Sequence, residues 1–380
     1  YYAMLTILTL KILLMIVYLS HWDWNLFKSR KDIVSNLDEI NFTAVCPIGA
    51  YSKELSTIYE GSINWEIDRK KTIDFKGIIN LRNILNSLEK DSIVHSFTLK
   101  TGILYSIANL FTKNNNKGVL SINGLGYLFS NNLKAKILKF ILGTFINKSF
   151  NKSFQEIIFQ NENDKKIFVN FSNYSGKTSL IQGSGVEIDN YVKKDKYQTE
   201  KLKVILVSRL LIDKGVNEYI ELTKKIDKPN IDFYLAGELD EGNPNSITRD
   251  TLEKIKNNNT LEYIGPIEVE KDLFNYDVSI VMSKYEGFSR IILESLCVGL
   301  FCISNNIPGT EWLKEFNNGL LVENNNLETI SEAIYNFNNY SFSKVNADIN
   351  RDIIKNKYST KIISSQYNEI YNNLISSQDE

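Results

Sequence analysis

The segment VSIVMSKYEGFSRIILESLCVGLFCISN, residues 278–305, reads as strand, loop, helix and strand in succession. VSIVMS and LFCISN are short apolar runs of strand length, rich in β-branched and aromatic residues. Between them Gly287 permits a tight turn, Ser289 stands at an N-cap position, and the apolar periodicity predicts a helix from about Arg290 to Val298. Two apolar strands joined through a helix form a parallel crossover. Parallel strands buried on both faces carry this kind of uninterrupted apolar run.

The same alternation extends in both directions. KILLMIVYL, FTAVC, SIVHSF, GVLSI and EIIFQ precede it, followed by KVILVSRL, DFYLAG and LEYIG. Amphipathic segments such as FKGIINLRNILNSLEK and VNEYIELTKKI lie between them. The pattern restarts near residue 201, after the polar, turn-rich GSGVEIDNYVKKDKYQTEK. The expectation is therefore an α/β chain of two doubly wound, Rossmann-like domains, with ligands in the cleft at the C-terminal ends of their strands. The domains expected are residues 1–190, residues 191–355, and a C-terminal helix over 356–380 that packs back on the first domain. Residues 1–10 read as an apolar leader or as residues outside the native start. Lys11 interrupts the apolar N-terminus, which falls short of an unbroken span of about 20 residues, so a buried first strand fits better than a signal anchor.

Composition narrows the chemistry. At 380 residues, 43% apolar and 23% charged, the chain has the make-up of a globular protein with room for two cores. Three scattered cysteines provide no disulfide framework, and two histidines provide no zinc cluster. The net charge of −1 conceals an asymmetry: residues 1–190 carry an excess of six basic side chains, and the remainder an excess of seven acidic ones. From Ser92 to Gln155 there are eight lysines and no Asp or Glu. Within that stretch Lys134, Lys136 and Lys139 alternate with apolar residues. This pattern is either a solvated helix face or a basic amphipathic helix resting on anionic lipid. Nucleic acid is the weakest partner, because arginine is scarce there and no recognition motif accompanies the lysines.

Arg209 and Lys214 follow the strand VILVS, ahead of a helix. Two cations in that position suit a diphosphate, although an isolated pair is more often simply surface charge. Pro308, Gly309 and Thr310 form a turn whose backbone N–H groups could approach a phosphate. Glu286 and Glu294 stand eight positions apart. On a continuous helix that spacing is about 12 Å, which suits two contacts on one extended ligand. A retaining hydrolase pair requires about 5 Å. The alternative for Glu294 is a buried carboxylate paired within the fold.

Taken in order, Arg209 and Lys214, EGFSRIILE, PGT and NGLLVE resemble the retaining glycosyltransferases of family 4, which have the GT-B fold and use a nucleotide-sugar donor. WDWNLFKSR, HSFTLKTGILYSIAN, INGLGYLFS, FQNENDKKIFV, GSGVEID and LAGELDEGNPNSI are similar to a subgroup acting on polyprenyl-diphosphate-linked sugars in bacterial surface-glycan assembly. The likeness runs from about Lys11 to Glu323. It implies that Arg209 and Lys214 grip the donor diphosphate, that Glu286 contacts the donor sugar and that Glu294 accepts the ribose hydroxyls. Gly287, Phe288, Arg290, Pro308, Gly309 and Thr310 complete the implied donor site, and His95 matches a histidine facing the donor sugar. A core histidine with satisfied ring nitrogens is the alternative there. Asp23, Trp24, Arg30, Asn123, Gly124 and Gly126 match segments on the acceptor side.

Two departures stand out. SHWDWN replaces the glycine-rich turn of many family members, and Glu311 and Trp312 follow PGT where the subgroup has Arg and Glu. The expected activity is metal-independent transfer from a UDP-sugar to a lipid-linked acceptor, with no cofactor and no nucleic-acid partner. The expected location is the cytoplasmic face of the cell membrane. The competing readings are a sugar-nucleotide epimerase of the same fold and an inactive nucleotide-sugar-binding protein.

Overall fold

The computed structural model describes residues 15–37, 40–129, 133–194, 201–226, 228–240, 243, 245–337 and 344–376. The expected leader, residues 1–10, lies outside them. Two parallel sheets organise the chain. Seven strands form the first: β1 (Ile16–Leu19), β2 (Phe42–Cys46), β3 (Gly61–Asn64), β4 (Ile93–Phe97), β5 (Lys117–Ile122), β6 (Glu156–Phe159) and β7 (Lys177–Leu180), in the order β3-β2-β1-β4-β5-β6-β7. Six form the second: β8 (Leu202–Val207), β9 (Ile231–Ala236), β10 (Glu262–Gly265), β11 (Val278–Val281), β12 (Phe301–Asn305) and β13 (Gly319–Val322), in the order β10-β9-β8-β11-β12-β13. Both orders reverse direction at the first strand, the doubly wound arrangement. The expected pair of Rossmann-like sheets is therefore present.

The helices are α1 (Asp23–Ser35), α2 (Ser52–Ile58), α3 (Phe75–Ser87), α4 (Leu99–Asn109), α5 (Leu133–Ser153), α6 (Glu162–Ser172), α7 (Val216–Lys225), α8 (Arg249–Lys256), α9 (Val269–Asp272), α10 (Arg290–Val298), α11 (Leu327–Tyr335), α12 (Lys344–Lys357) and α13 (Thr360–Ser376). The packing of the second sheet explains its apolar strands. Along β8, Val204 and Leu206 enter one core with Tyr219 and Leu222 of α7, whereas Ile205 enters the other with Ile292 and Leu296 of α10. Ile303 and Cys302 of β12 divide in the same way. Successive strand side chains point to opposite faces, and both faces are covered, so adjacent positions at the strand centres are apolar.

By contact density the described chain forms two compact units. One takes the residues up to Ser121, Lys148–Ile157 and those from Asn368 onward; the other takes Ile122–Asn147 and Ile158–Tyr367. In the first unit the end of α13 packs on the sheet as expected. Tyr371 lies 2.9 Å, oxygen to oxygen, from the Tyr18 hydroxyl and 2.7 Å from His95 Nδ1.

Candidate active site

Within the second unit lies a cavity of about 940 Å³. Arg209, Lys214, Glu286, Gly287 and Pro308 line it together with Asn123, Gly124 and Gly126. Residues drawn from donor-side and acceptor-side motifs thus meet around one space.

Backbone contacts account for this convergence. Lys214 closes a single helical turn, and Gly215 follows with φ +78°. A Cβ on Gly215 would lie 2.4 Å from the Met282 carbonyl oxygen, so only glycine lets this turn press on the end of β11. That approach sets Lys214 Nζ 2.6 Å from Glu286 Oε1, which also accepts a hydrogen bond from Ser283 Oγ at 2.7 Å. Gly287 is crowded in the same way: a Cβ there would lie 2.3 Å from the Asn123 carbonyl oxygen. Asn161 Nδ2 donates to the Gly287 carbonyl at 2.9 Å, fixing the Glu286–Gly287 loop to the start of α6. Gly309 packs on the Glu286 backbone, where a Cβ would lie 2.2 Å from its carbonyl oxygen.

The electrostatics are those of a site with compensated charge. Arg209 Nη1 contacts Asp240 Oδ2 at 2.9 Å, and Lys214 is paired with Glu286. An anionic ligand entering here meets three cations, Arg209, Lys214 and Lys284, each beside a carboxylate in this structure, Lys284 at 2.9 Å from Glu218. Asp164, at the start of α6, also lines the cavity; burial raises its carboxyl above the usual carboxylate range, opposed by hydrogen bonds from the Asn161 side chain and the Leu125 backbone.

Helix α10 begins at Arg290 and ends at Val298, the bounds read from the sequence. Ser289 stands at its N-cap without capping: its hydroxyl is buried and makes no hydrogen bond, while its N–H donates to the Gly309 carbonyl at 3.1 Å. Glu294 is buried in a network. Its Oε1 accepts hydrogen bonds from Arg290 Nε at 2.8 Å and from the Tyr191 hydroxyl at 3.0 Å. Burial pushes the Glu294 carboxyl above its ordinary value, against the opposing effect of Arg290 and Tyr191. The Thr310 hydroxyl is taken up by its own turn, donating to the Asn305 carbonyl at 2.6 Å. Phe288 stacks on Trp312 with centroids 4.4 Å apart, and Trp312 Nε1 donates to the Gly309 carbonyl at 3.0 Å. The departure after PGT is thus a packing element that holds the turn. Phe288, Arg290, Glu294, Gly309 and Thr310 are not among the described residues lining the cavity.

In the first unit His95 is fully buried. Its Nδ1 is 2.7 Å from the Tyr371 hydroxyl and its Nε2 2.8 Å from Ser121 Oγ. Burial, and then the charge of Arg30, hold the imidazole well below its ordinary pKa. Asp23 accepts hydrogen bonds from the backbone N–H groups of Trp24 at 2.8 Å and Tyr51 at 2.9 Å. Arg30 is buried, with its guanidinium 4.4 Å from the Phe97 ring centroid. Trp24 stacks on Trp22 at 5.0 Å. In the second unit Lys139 lies 5.1 Å over the Phe129 ring, and the side chains of Lys134 and Lys136 fall outside the described set.

Several lining residues carried no assigned role on sequence grounds: Asn163, Asp164, Asn243, Asn245 and Lys284. Asp240, which pairs with Arg209, had none either. Most of them lie in FQNENDKKIFV and LAGELDEGNPNSI, segments in which no spacing marks a particular side chain. Among the described residues no helix is long and apolar enough to cross a membrane, and no group of three His, Cys, Asp or Glu could hold a metal ion.

The model of the glycosyl transferases group 1 family matches residues 187–359. The capsular polysaccharide biosynthesis glycosyltransferase CapM of Staphylococcus aureus is 24% identical over 348 residues, spanning 86% of this chain and 89% of CapM. Among solved structures, the sucrose-phosphate synthase of Thermosynechococcus elongatus superposes with a TM-score of 0.76 at 13% identity, covering 96% of this chain and all of that one. Anabaena HepE, solved in complex with UDP and glucose, superposes at 0.71 with 16% identity, covering 95% of this chain and all of HepE. At such identities the superpositions carry the fold alone. The chain has the GT-B fold, and its residues 187–359 match the model of the glycosyl transferases group 1 family.

Proposed function

We propose that the chain is a retaining glycosyltransferase that moves a hexose or N-acetylhexosamine from a UDP-sugar to a polyprenyl-diphosphate-linked oligosaccharide, in assembly of a bacterial surface polysaccharide. One observation carries the reading: Arg209, Lys214 and Glu286 line a single cavity with the Asn123–Gly126 loop. In the reaction the bond from the anomeric carbon to the donor diphosphate breaks, and a bond to an acceptor hydroxyl oxygen forms. Arg209 and Lys214 neutralise the charge that builds on the departing diphosphate, work a bound metal ion performs elsewhere. Glu286 holds the donor sugar hydroxyls, and Glu294, oriented by Arg290 and Tyr191, takes the ribose. Asn123, Gly124 and Gly126 face the acceptor. No step is routed through His95. The capsular role of CapM and the capture of HepE with UDP and glucose support this donor and pathway class. The chain works at the cytoplasmic face of the membrane, where its acceptor lies.

The test is UDP release from a panel of UDP-sugars with membrane extract as acceptor. Release with one donor, dependent on extract and lost in Lys214→Ala and Glu294→Ala, is the expected result. Tight UDP binding without release from any donor would sink the transferase reading in favour of a binding protein. Conversion of the sugar nucleotide without acceptor would favour an epimerase.

A further inference from the structure

A cationic face on the first unit carries large apolar side chains into solvent. On α3 the core side is Ile78, Leu81, Ile84 and Leu85. Phe75, Ile79, Arg82 and Asn86 follow at intervals of four, three and four, which places them on one stripe turned away from that core. Phe75 is 75% exposed and Ile79 58%. The turn after α4 is fastened to the far end of the stripe: Arg82 Nε donates to the Phe111 carbonyl at 2.9 Å, and the Lys113 N–H donates to Asn86 Oδ1 at 2.9 Å. Phe111, 64% exposed, therefore extends the apolar stripe beyond the helix.

The charge beside the stripe itself is basic, with exposed Glu66 and Asp68 on the segment that packs on the other flank and the start of α3. Lys76, three residues before Ile79, is exposed, as is Lys113, while Arg82 is partly buried. Helix α3 contains no Asp or Glu, and none occurs between Ser92 and Gln155. The flanking Asp74 is buried, accepting the Asp68 N–H at 2.9 Å and facing Lys71 at 3.8 Å. Glu89 lies past the helix C-terminus. Exposed phenylalanines and an isoleucine among cations, with no carboxylate between them, match the boundary of an anionic bilayer: apolar acyl chains beneath a negative headgroup layer. A protein partner of this polarity would have to be both acidic and apolar on one small patch.

We propose that the stripe of Phe75, Ile79 and Phe111, flanked by Lys76, Arg82 and Lys113, is the surface by which this chain docks on an anionic lipid bilayer. The proposal rests on the membrane-face reading above and adds a contact to the Lys134–Lys139 segment expected from the sequence. It brings the first unit to the membrane that holds a lipid-linked acceptor.

The test is sedimentation of the full chain with vesicles of phosphatidylcholine alone and of phosphatidylcholine with phosphatidylglycerol. Wild type should move to the anionic vesicles and stay in solution with the neutral ones. Phe75→Ser with Ile79→Ser and Phe111→Ser should lower the anionic partition by about tenfold or more, at unchanged melting temperature. Lys76→Gln with Lys113→Gln, a milder pair, should lower it several-fold and flatten its salt dependence. Wild-type partition in the triple variant would overturn the proposal, placing the contact elsewhere in the chain. So would a dimeric wild type that the triple variant renders monomeric, since a second copy would then be the occupant. UDP release is read in parallel: if it fails while this partition pattern holds, the transferase reading falls and the docking surface stands.

Discussion

Lys214 Nζ and Glu286 Oε1 lie 2.6 Å apart although 72 residues of chain separate them. The contact exists because the turn before α7 presses on the end of β11, and it brings the ammonium proposed for the donor diphosphate to the carboxylate proposed for the donor sugar. Removing either partner leaves the other partly buried beside the cavity. Lys214→Ala should lower UDP release by about 100- to 1,000-fold, the usual loss when one charge-stabilising donor is removed. Glu286→Gln keeps the hydrogen bond to Lys214 and should preserve UDP binding while losing turnover. Loss of UDP binding and turnover in equal measure in Glu286→Gln would reassign Glu286 to a purely structural role.

Arg209 presents the converse case. Asp240 Oδ2 sits 2.9 Å from its guanidinium and competes with any incoming phosphate for it. The arginine side chain is about one-third exposed, so the pair contributes only about 0.5–1 kcal/mol. Asp240→Asn should therefore tighten UDP binding by roughly two- to fivefold in calorimetric titration. Arg209→Ala should weaken it. If Asp240→Asn weakens UDP binding, the carboxylate is part of the recognition surface and not a competitor.

Gly287 marks the close approach between two loops. A methyl group there meets the Asn123 carbonyl oxygen at 2.3 Å and Gln160 Oε1 at 2.6 Å. Gly287→Ala should destabilise the fold by about 1–3 kcal/mol, since backbone must shift to admit it. It should also impair turnover by displacing Glu286 and Asn123 together. Chemical denaturation measures the first effect and UDP release the second; normal stability and normal release would show that the loops separate freely.

Trp312 holds the Pro308–Thr310 turn through the Phe288 stack and the Gly309 carbonyl. Trp312→Ala should cost about 3–5 kcal/mol, as for other buried aromatic truncations. Trp312→Phe should recover most of the packing and lose only the hydrogen bond. Equal destabilisation by both would mean that the indole N–H, and not the stack, is what matters.

His95 couples folding to pH. Its folded pKa lies well below the ordinary 6.5, so between the two values the unfolded chain binds a proton that the native state refuses. Stability from this group is complete above pH 6.5 and declines as the pH falls from there toward the depressed folded value, by at most about 1.4 kcal/mol per pH unit. His95→Gln should flatten that limb of the stability curve. An unchanged slope between pH 6.5 and 5 would assign acid sensitivity to other groups.

Much of the architecture was legible in the chain. The ten apolar runs read as strands each overlap a strand, and the helix read from Arg290 to Val298 has those bounds. The short edge strands β3, β7 and β13 were not read as strands: GSIN and KTSL are half exposed and carry no apolar run, and GLLV is only four residues long and mostly partly buried. The helical pattern of residues 355–378 proved to be two helices, since α12 ends at Lys357 and α13 begins at Thr360. Ser289 occupies the residue position of an N-cap, yet its hydroxyl makes no capping hydrogen bond.

Periodicity and turn chemistry are local, so the alternation of strands and helices, the polar break near residue 201 and the order of the motifs could be read from residues within a few positions of one another. Which charges meet could not. The partners of Glu294 are one helical turn away at Arg290 and 103 residues away at Tyr191, and those of His95 are 26 and 276 residues away. Pairings over such distances depend on how sheets stack helices and on where glycine lets backbone approach backbone. Spacing along the chain does not encode them. Tertiary structure alone therefore decided that Asp240 shields Arg209, that Asp164 lines the same cavity, and that Phe111 continues the stripe begun by Phe75 and Ile79.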